Sequence, residues 1–323
     1  MIDTIYIEEA VKDHPRTLEV LSRYPRARQI PCEQYSNIFN RSAQNFRVQK
    51  QRPALVLANK QGNRVLPAPP DYGIGGVHNY YFSHLFNCLY DCRYCFLQGM
   101  YRSANYVLFV NYEDFFEDIA KVQSTLDSSG WYFSGYDCDS LAMEPVTGFV
   151  GSALRWFEEN PEANLELRTK STQVRSLLKR APLSNVVVAA SLSPDPVAQA
   201  LEHDAPSLEK RLDALHKLAL AGWQVGLRFD PLIWCDDYES VYREFFQTVF
   251  SRLPTKSIHS VSTGSFRLPP EFHQKMSKLY PREPLLAGPL SKGDRWVGFP
   301  AEREQNLLIL ARKHVLNAVG EEK

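Results

Sequence analysis

The residues best equipped for chemistry are Cys88, Cys92 and Cys95, in the run Cys-Leu-Tyr-Asp-Cys-Arg-Tyr-Cys. This short run holds half of the chain's six cysteines. Thiolates separated by three and then two residues can turn toward one inorganic group. Three thiolates leave one iron of a four-iron cluster without a protein ligand, and that iron can chelate a small molecule. Two other readings stay open on spacing alone. A structural zinc site wants four ligands, with His84 as the nearest candidate for the fourth, and no second Cys-x-x-Cys lies elsewhere. A set of inert buried thiols is the other, although Asp91, Arg93 and the neighbouring tyrosines make the loop polar.

The loop needs a scaffold, and the flanking sequence supplies one. From residue 105 onward strand-like and helix-like stretches alternate. The strands are read at 106–110, 131–136, 165–169, 185–192, 223–230 and 257–264. Helices are read at 113–126, 149–159, 172–180, 207–222 and 238–253. Such alternation argues for a parallel sheet covered by helices. Six units are too few for a closed eight-unit barrel, so the expected fold is α/β, a partial (β/α)6 barrel. Its expected division is an N-terminal α/β cap over 1–70, the barrel over 71–265 and a C-terminal extension over 266–323. Functional groups of parallel sheets gather at the C-terminal strand ends. Ser134-Gly135, Lys170-Ser171, Ser191–Ser193, Asp230 and Thr263-Gly264 stand at those ends.

The 323 residues suffice for a sizeable core, and formal net charge is zero. Charge is unevenly spread. Residues 1–66 carry eleven Lys/Arg against six Asp/Glu, residues 101–160 three against ten, and residues 255–313 ten against five. A basic surface drawn from both ends could meet phosphates, though ordinary scatter of charge accounts for it equally well. No apolar run approaches the roughly 20 residues that span a bilayer. The acidic start, with Asp3, Glu8 and Glu9, is unlike a secretory signal. A cytoplasmic location without a membrane partner is expected.

A three-cysteine loop followed by an aromatic residue and a partial α/β barrel is the pattern of the radical SAM superfamily. Within it, Cys-Leu-Tyr-Asp-Cys-Arg-Tyr-Cys-Phe-Leu-Gln is similar to the cysteine loop of spore photoproduct lyases, which repair a thymine dimer in DNA. The segments TIYIEEAVKDHP at the start, CDSLAMEP (138–145), RTKS (168–171) and AGWQVGLRFDPLI (221–233) follow in the family's order. The resemblance implies a [4Fe-4S] cluster held by Cys88, Cys92 and Cys95, and S-adenosyl-L-methionine (SAM) bound at its open iron. It implies a one-electron donor of flavodoxin or ferredoxin type, and DNA as a partner. Lys170 looks like the family's lysine for the SAM carboxylate. Ser134 and Gly135 stand where the SAM amino group is met, and Ser191 or Ser193 would reach the ribose.

Two departures accompany the resemblance. The family's hydrogen-donating cysteine falls on Tyr136 here, and Cys138 lies two residues further on, a shift that keeps the same face of an extended chain. The family's tyrosine pair is matched by Tyr94 at its first position and by Phe96 at its second, where no hydroxyl exists. Cys138, Tyr94 and Tyr136 are therefore the catalytic candidates. A radical SAM enzyme working on a substrate other than a DNA dimer is the main rival. A non-catalytic, cluster-containing nucleic-acid-binding protein is another. Trp234, Trp296, Arg267 and Arg295 are candidates for bases and phosphates or for ordinary packing and solvation.

Overall fold

The structure, a computed structural model, describes residues 2–70 and 72–320. The chain forms two compact units. The first comprises residues up to Leu89 together with Tyr101–Leu167, and the second comprises Tyr90–Met100 with residues from Arg168 onward. These units follow packing, whereas the regions 1–70, 71–265 and 266–323 group residues by role.

The first unit contains a five-stranded sheet in the order Arg28–Cys32, Thr4–Glu8, Leu55–Ala58, Tyr106–Phe109, Leu85–Phe86. Its first four strands are parallel. Leu55–Ala58 and Tyr106–Phe109 are buried at every residue, the continuous apolar pattern of a parallel strand covered on both faces. Helix Pro15–Arg23 opens on a proline, which has no N–H to leave unpaired, and on His14, whose ring accepts from the Arg16 amide. Arg16 then pairs with Glu113 at 2.7 Å and lies 4.0 Å over the Tyr112 ring, at the start of helix Tyr112–Gln123. A second set of strands in this unit is Asn79–Phe82, Gly130–Ser134 and Ala163–Thr169, mutually parallel, with Val65–Pro67 antiparallel at the edge.

One sequence expectation is corrected here. Residues 106–110 read as the first strand of the alternating series, yet they pair with Leu55–Ala58 in the N-terminal sheet. The parallel strand that precedes Gly130–Ser134 is Asn79–Phe82. Its sequence, Asn-Tyr-Tyr-Phe, is half-buried over its first three residues, so it lacks the apolar run by which a buried strand is recognised.

The second unit supplies three more parallel strands, Val186–Ser191, Gln224–Leu232 and Ile258–Ser265. Helix Leu208–Leu220 is capped by Ser207, which accepts from the Lys210 amide, and stops before Gly222 at φ +92°. Between 172 and 180 only Arg175–Leu178 is helical. Thr169 and Ser171 bind the backbone just ahead of it, so side chains satisfy amides that a longer helix would have used. Beyond Ser265 come a small antiparallel sheet and helix Ala301–Val319. Among the described residues no helix is long and apolar enough to cross a membrane.

Candidate active site

The cysteine loop is entered from a strained position. Asn87, just before Cys88, has φ +68°, a conformation that asparagine tolerates better than most residues. Its buried side-chain amide donates to the carbonyls of Ser103 at 2.8 Å and Asn105 at 2.7 Å. Lys50 then donates to the Cys88 carbonyl at 2.8 Å.

The other end of the loop is fixed within the second unit. Asp91–Cys92 forms a short antiparallel bridge with Glu202–His203, setting Cys92 opposite Glu202. The Arg93 amide donates to Leu201 at 2.8 Å, and the Cys95 amide closes a turn on Cys92 at 3.1 Å. Gln98 donates to Asp91 at 2.8 Å and accepts from the Tyr280 hydroxyl at 2.8 Å. Gly99 lies so close to Phe272 that a Cβ there would meet its backbone at 2.8 Å. Cys92 is buried, Cys88 and Cys95 are half-buried, and none of the three is in a disulfide.

Among the described residues no three His, Cys, Asp or Glu side chains are gathered tightly enough to hold a single metal ion. A tetrahedral zinc site requires such a gathering. Cysteines of a four-iron cluster each bind a different iron and need no common point, so three cysteines outside disulfides on a pinned loop suit the cluster. His84 is not placed as a fourth ligand. Its ring stacks on Phe149 at 3.8 Å, and burial lowers its pKa to about 3.

Beside Cys92 and Cys95 the second unit buries a charged network. The Tyr94 hydroxyl donates to Glu202 Oε1, and Ser193 donates to the same oxygen at 2.9 Å. Arg211 donates to Glu202 Oε2, to the Ser191 carbonyl at 3.0 Å and to the Pro206 carbonyl at 2.7 Å. The side chains of Arg211 and Glu202 are 1% and 0% exposed, so this ion pair has left water entirely. Burial alone would raise the Glu202 pKa, but Lys170, Arg211 and the Tyr94 hydrogen bond outweigh it and hold the group as a carboxylate. Lys170 stands 5.5 Å from the Tyr94 ring centroid. Burial pulls its pKa down, while Glu202, Cys92 and Cys95 more than compensate and keep it an ammonium. Tyr94 is pushed well above the ordinary phenol range by burial and then by Glu202.

The first unit holds a different cluster. Cys138 is buried, and burial, then Cys88, Asp137 and Asp139, drive its pKa well above that of a free thiol. Asp137 is 6% exposed, and its Oδ2 accepts from Ser83 at 2.6 Å. Its Oδ1 is buried without a hydrogen-bond partner. Burial raises the Asp137 pKa, and Ser83, Lys60 and Tyr101 act against it without overcoming it. Lys60 lies 4.6 Å from the Phe86 ring and 5.0 Å from that of Phe109.

The sequence-predicted residues therefore fall into two groups. Lys170, Ser191, Ser193 and Tyr94 share the Glu202 network, where the Ser193 hydroxyl already has a protein partner. Ser134, Gly135, Tyr136 and Cys138 follow the strand Gly130–Ser134. Ser134 exchanges a hydrogen bond with Ser140 at 3.0 Å, Gly135 has φ +91°, and Tyr136 packs on Tyr81 at 4.4 Å and Tyr72 at 5.7 Å. Sequence reasoning missed Glu202, Arg211, Asp137 and Tyr101. Arg211 lies in a helix that reads as ordinarily amphipathic, and only Asp137 carried a signal, as the neighbour of Cys138. An open hollow of about 610 Å³ beside Trp234 and Tyr238 carries Asp236, Asp237 and Glu239 and no residue of the cysteine loop.

The family model for spore photoproduct lyase matches residues 78–285. The spore photoproduct lyase of Bacillus subtilis (strain 168) is 25% identical over 177 residues, covering 54% of this chain and 52% of the relative. That of Geobacillus sp. (strain Y412MC61) is 26% identical over 171 residues, covering 51% and 49%. The chain thus matches about half the length of these curated relatives. A solved spore photoproduct lyase variant with bound AdoMet and dinucleoside spore photoproduct superposes with a TM-score of 0.86 at 16% identity, over 98% of this chain and 96% of that one. A spore photoproduct lyase complexed with dinucleoside spore photoproduct gives 0.82 at 17% identity, over 98% and 96%. The fold is the α/β partial barrel of those structures.

Proposed function

The chain belongs to the spore photoproduct lyase family of the radical SAM superfamily, and from that premise we propose that it is a radical SAM enzyme acting on a thymine dimer in damaged DNA. When bound, a four-iron cluster supplies the electron that breaks the sulfonium carbon–sulfur bond of SAM, giving methionine and a 5′-deoxyadenosyl radical. Cys88, Cys92 and Cys95 would hold that cluster. The single observation that carries the reading is Lys170, an ammonium kept charged at a strand end by Glu202 and the thiols of Cys92 and Cys95. A compact cation there binds the SAM carboxylate. Ser134 and Gly135 border the amino group, and Ser191 or Ser193 the ribose. Ser193 must exchange its bond to Glu202 to serve there.

Cys138 returns a hydrogen atom to the product radical, and Tyr94 and Tyr136 border the reacting groups. The lesion leaves the base stack to reach them. Arg267 over Trp296 at 6.0 Å and Arg303 over Trp234 at 5.1 Å present cations backed by aromatic rings to the phosphates and bases of DNA. A one-electron donor of flavodoxin or ferredoxin type serves the cluster.

One observation favours a second reading. Phe96 has no hydroxyl, so the family's tyrosine pair is incomplete, and a substrate other than the DNA dimer fits that departure. Anaerobic reconstitution followed by assay of 5′-deoxyadenosine, with and without DNA bearing the spore photoproduct, tests both. Release of 5′-deoxyadenosine together with repaired thymine is expected. SAM cleavage without repair would select the second reading, and no cleavage would overturn both.

A further inference from the structure

Within the second unit the cysteine loop has two flanks. On one, Tyr94 turns to Glu202, and Lys170 stands 5.5 Å from its ring. On the other, Arg93 turns to the C-terminal extension. Its guanidinium lies 4.1 Å over the Tyr280 ring, pairs with Asp91 and reaches Glu283 at 4.0 Å. The Tyr280 hydroxyl donates to Gln98 at 2.8 Å and to Asp91 at 3.4 Å. Tyr280 directly follows helix Pro270–Leu279, whose Phe272 backbone lies against Gly99 and whose Met276 is fully buried. This flank of the loop is thus covered by a single helix, about 10–12 Å across. The outer face of that helix is basic. Lys275 and Lys278 are exposed, and at three-residue spacing they share one helical face. Arg282, just past the helix end, is exposed as well. Against these three cations, residues 271–282 expose one acid, Glu271.

We propose that the face carrying Lys275, Lys278 and Arg282 docks a small acidic one-electron carrier protein, which delivers its electron to the cysteine loop across this helix. The proposal rests on the radical reading above and gives the electron donor of that reading a place on the chain. Exposed cations steer a partner of opposite charge and set its on-rate. The docked carrier is one helix layer from Gln98 and Gly99, which follow Cys95, and the Tyr280 ring and Arg93 fill the space between its face and Asp91. SAM and substrate belong to the flank of Tyr94 and Lys170, so a carrier on the opposite flank leaves them undisturbed. DNA is the other polyanion that cations attract, but a lesion must be presented on the Tyr94 flank to react, and these cations lie away from it. On docking, the carrier loses one electron and the cluster gains it. No bond forms or breaks and no proton moves.

The test uses the full chain, reconstituted with its cluster, and reduced flavodoxin as the probe. Stopped-flow bleaching of the visible absorbance follows reduction of the cluster. Lys275→Glu combined with Lys278→Glu should slow reduction by flavodoxin roughly 10-fold or more at low salt, and the native rate should fall steeply as salt is added. Dithionite, a small reductant that needs no docking face, should reduce both proteins at similar rates, which shows that the variant keeps its fold and its cluster. An unchanged flavodoxin rate in the variant, or a native rate indifferent to salt, would overturn the proposal. So would a variant that keeps the flavodoxin rate but loses affinity for duplex DNA, which would mark this face as a nucleic-acid surface. Native protein that dithionite reduces but that cleaves no SAM would defeat the radical reading, with the flavodoxin rates still deciding the docking face.

Discussion

Two buried tyrosine–carboxylate pairs, one in each unit, are chemically alike and electrostatically opposite. Glu202, beside Tyr94, is surrounded by Arg211, Lys170 and Ser193, and its charge is fully answered. Asp137, beside Tyr101, has one hydroxyl on Oδ2, nothing on Oδ1 and only the half-buried Lys60 as a counter-charge. Both carboxyls are desolvated. What separates them is the number of positive groups that burial brought along. The first pair is a buried charge with its counter-charges in place, and the second is a carboxyl that burial leaves largely uncompensated.

Breaking the first pair should have the largest effect. Glu202→Gln leaves Arg211 buried without its counter-charge, and removal of one partner of a buried ion pair costs about 3–5 kcal/mol. Urea unfolding measures it, and a loss under about 1 kcal/mol would show that Arg211 finds compensation elsewhere. Next, Lys170→Ala should weaken SAM binding roughly 30-fold, about 2 kcal/mol for a hydrogen bond to a charged group. Calorimetric titration of the reconstituted enzyme checks this, and an unchanged Kd removes Lys170 from the carboxylate role. Gly99→Ala probes how rigidly the loop is seated behind Cys95. The clash with Phe272 should cost about 1–3 kcal/mol and loosen cluster retention, read as iron content after gel filtration.

Asp137→Asn should have the smallest effect on stability, within about 1 kcal/mol, since it neutralises a carboxyl whose counter-charge, Lys60, is only half-buried. Its pH dependence sharpens the contrast. The folded Asp137 pKa is raised above 3.8, so its favourable contribution is complete below pH 3.8 and is lost as pH rises through the folded value. The folded Glu202 pKa is lowered beneath 4.5, so its contribution is present above pH 4.5 and is lost as pH falls through the folded value. Thermal melts of the two variants against the native chain should therefore diverge with pH in opposite senses. Parallel pH profiles would contradict the difference between the two pairs.

The cysteine loop was legible because its chemistry is local. Three thiols within eight residues carry their spacing in the sequence, and Lys170 could be found at the end of an apolar strand. The alternating pattern likewise carried most of the parallel strands, since a buried strand announces itself by its own side chains. Asn79–Phe82 escaped because its tyrosines and asparagine are only half-buried, and Tyr106–Phe109 was assigned to the wrong sheet because an apolar strand does not name its partner.

By itself, then, the sequence determined that three thiols lie together in one loop, since residues close along the chain need no fold to associate them. Tertiary structure alone decided which carboxyl stands beside which tyrosine. Tyr94 and Glu202 are 108 residues apart, and Ser83 and Asp137 are 54 apart. The charge state of a buried acid depends on such distant neighbours, because in a low-dielectric interior each counter-charge must be supplied by packing rather than by water.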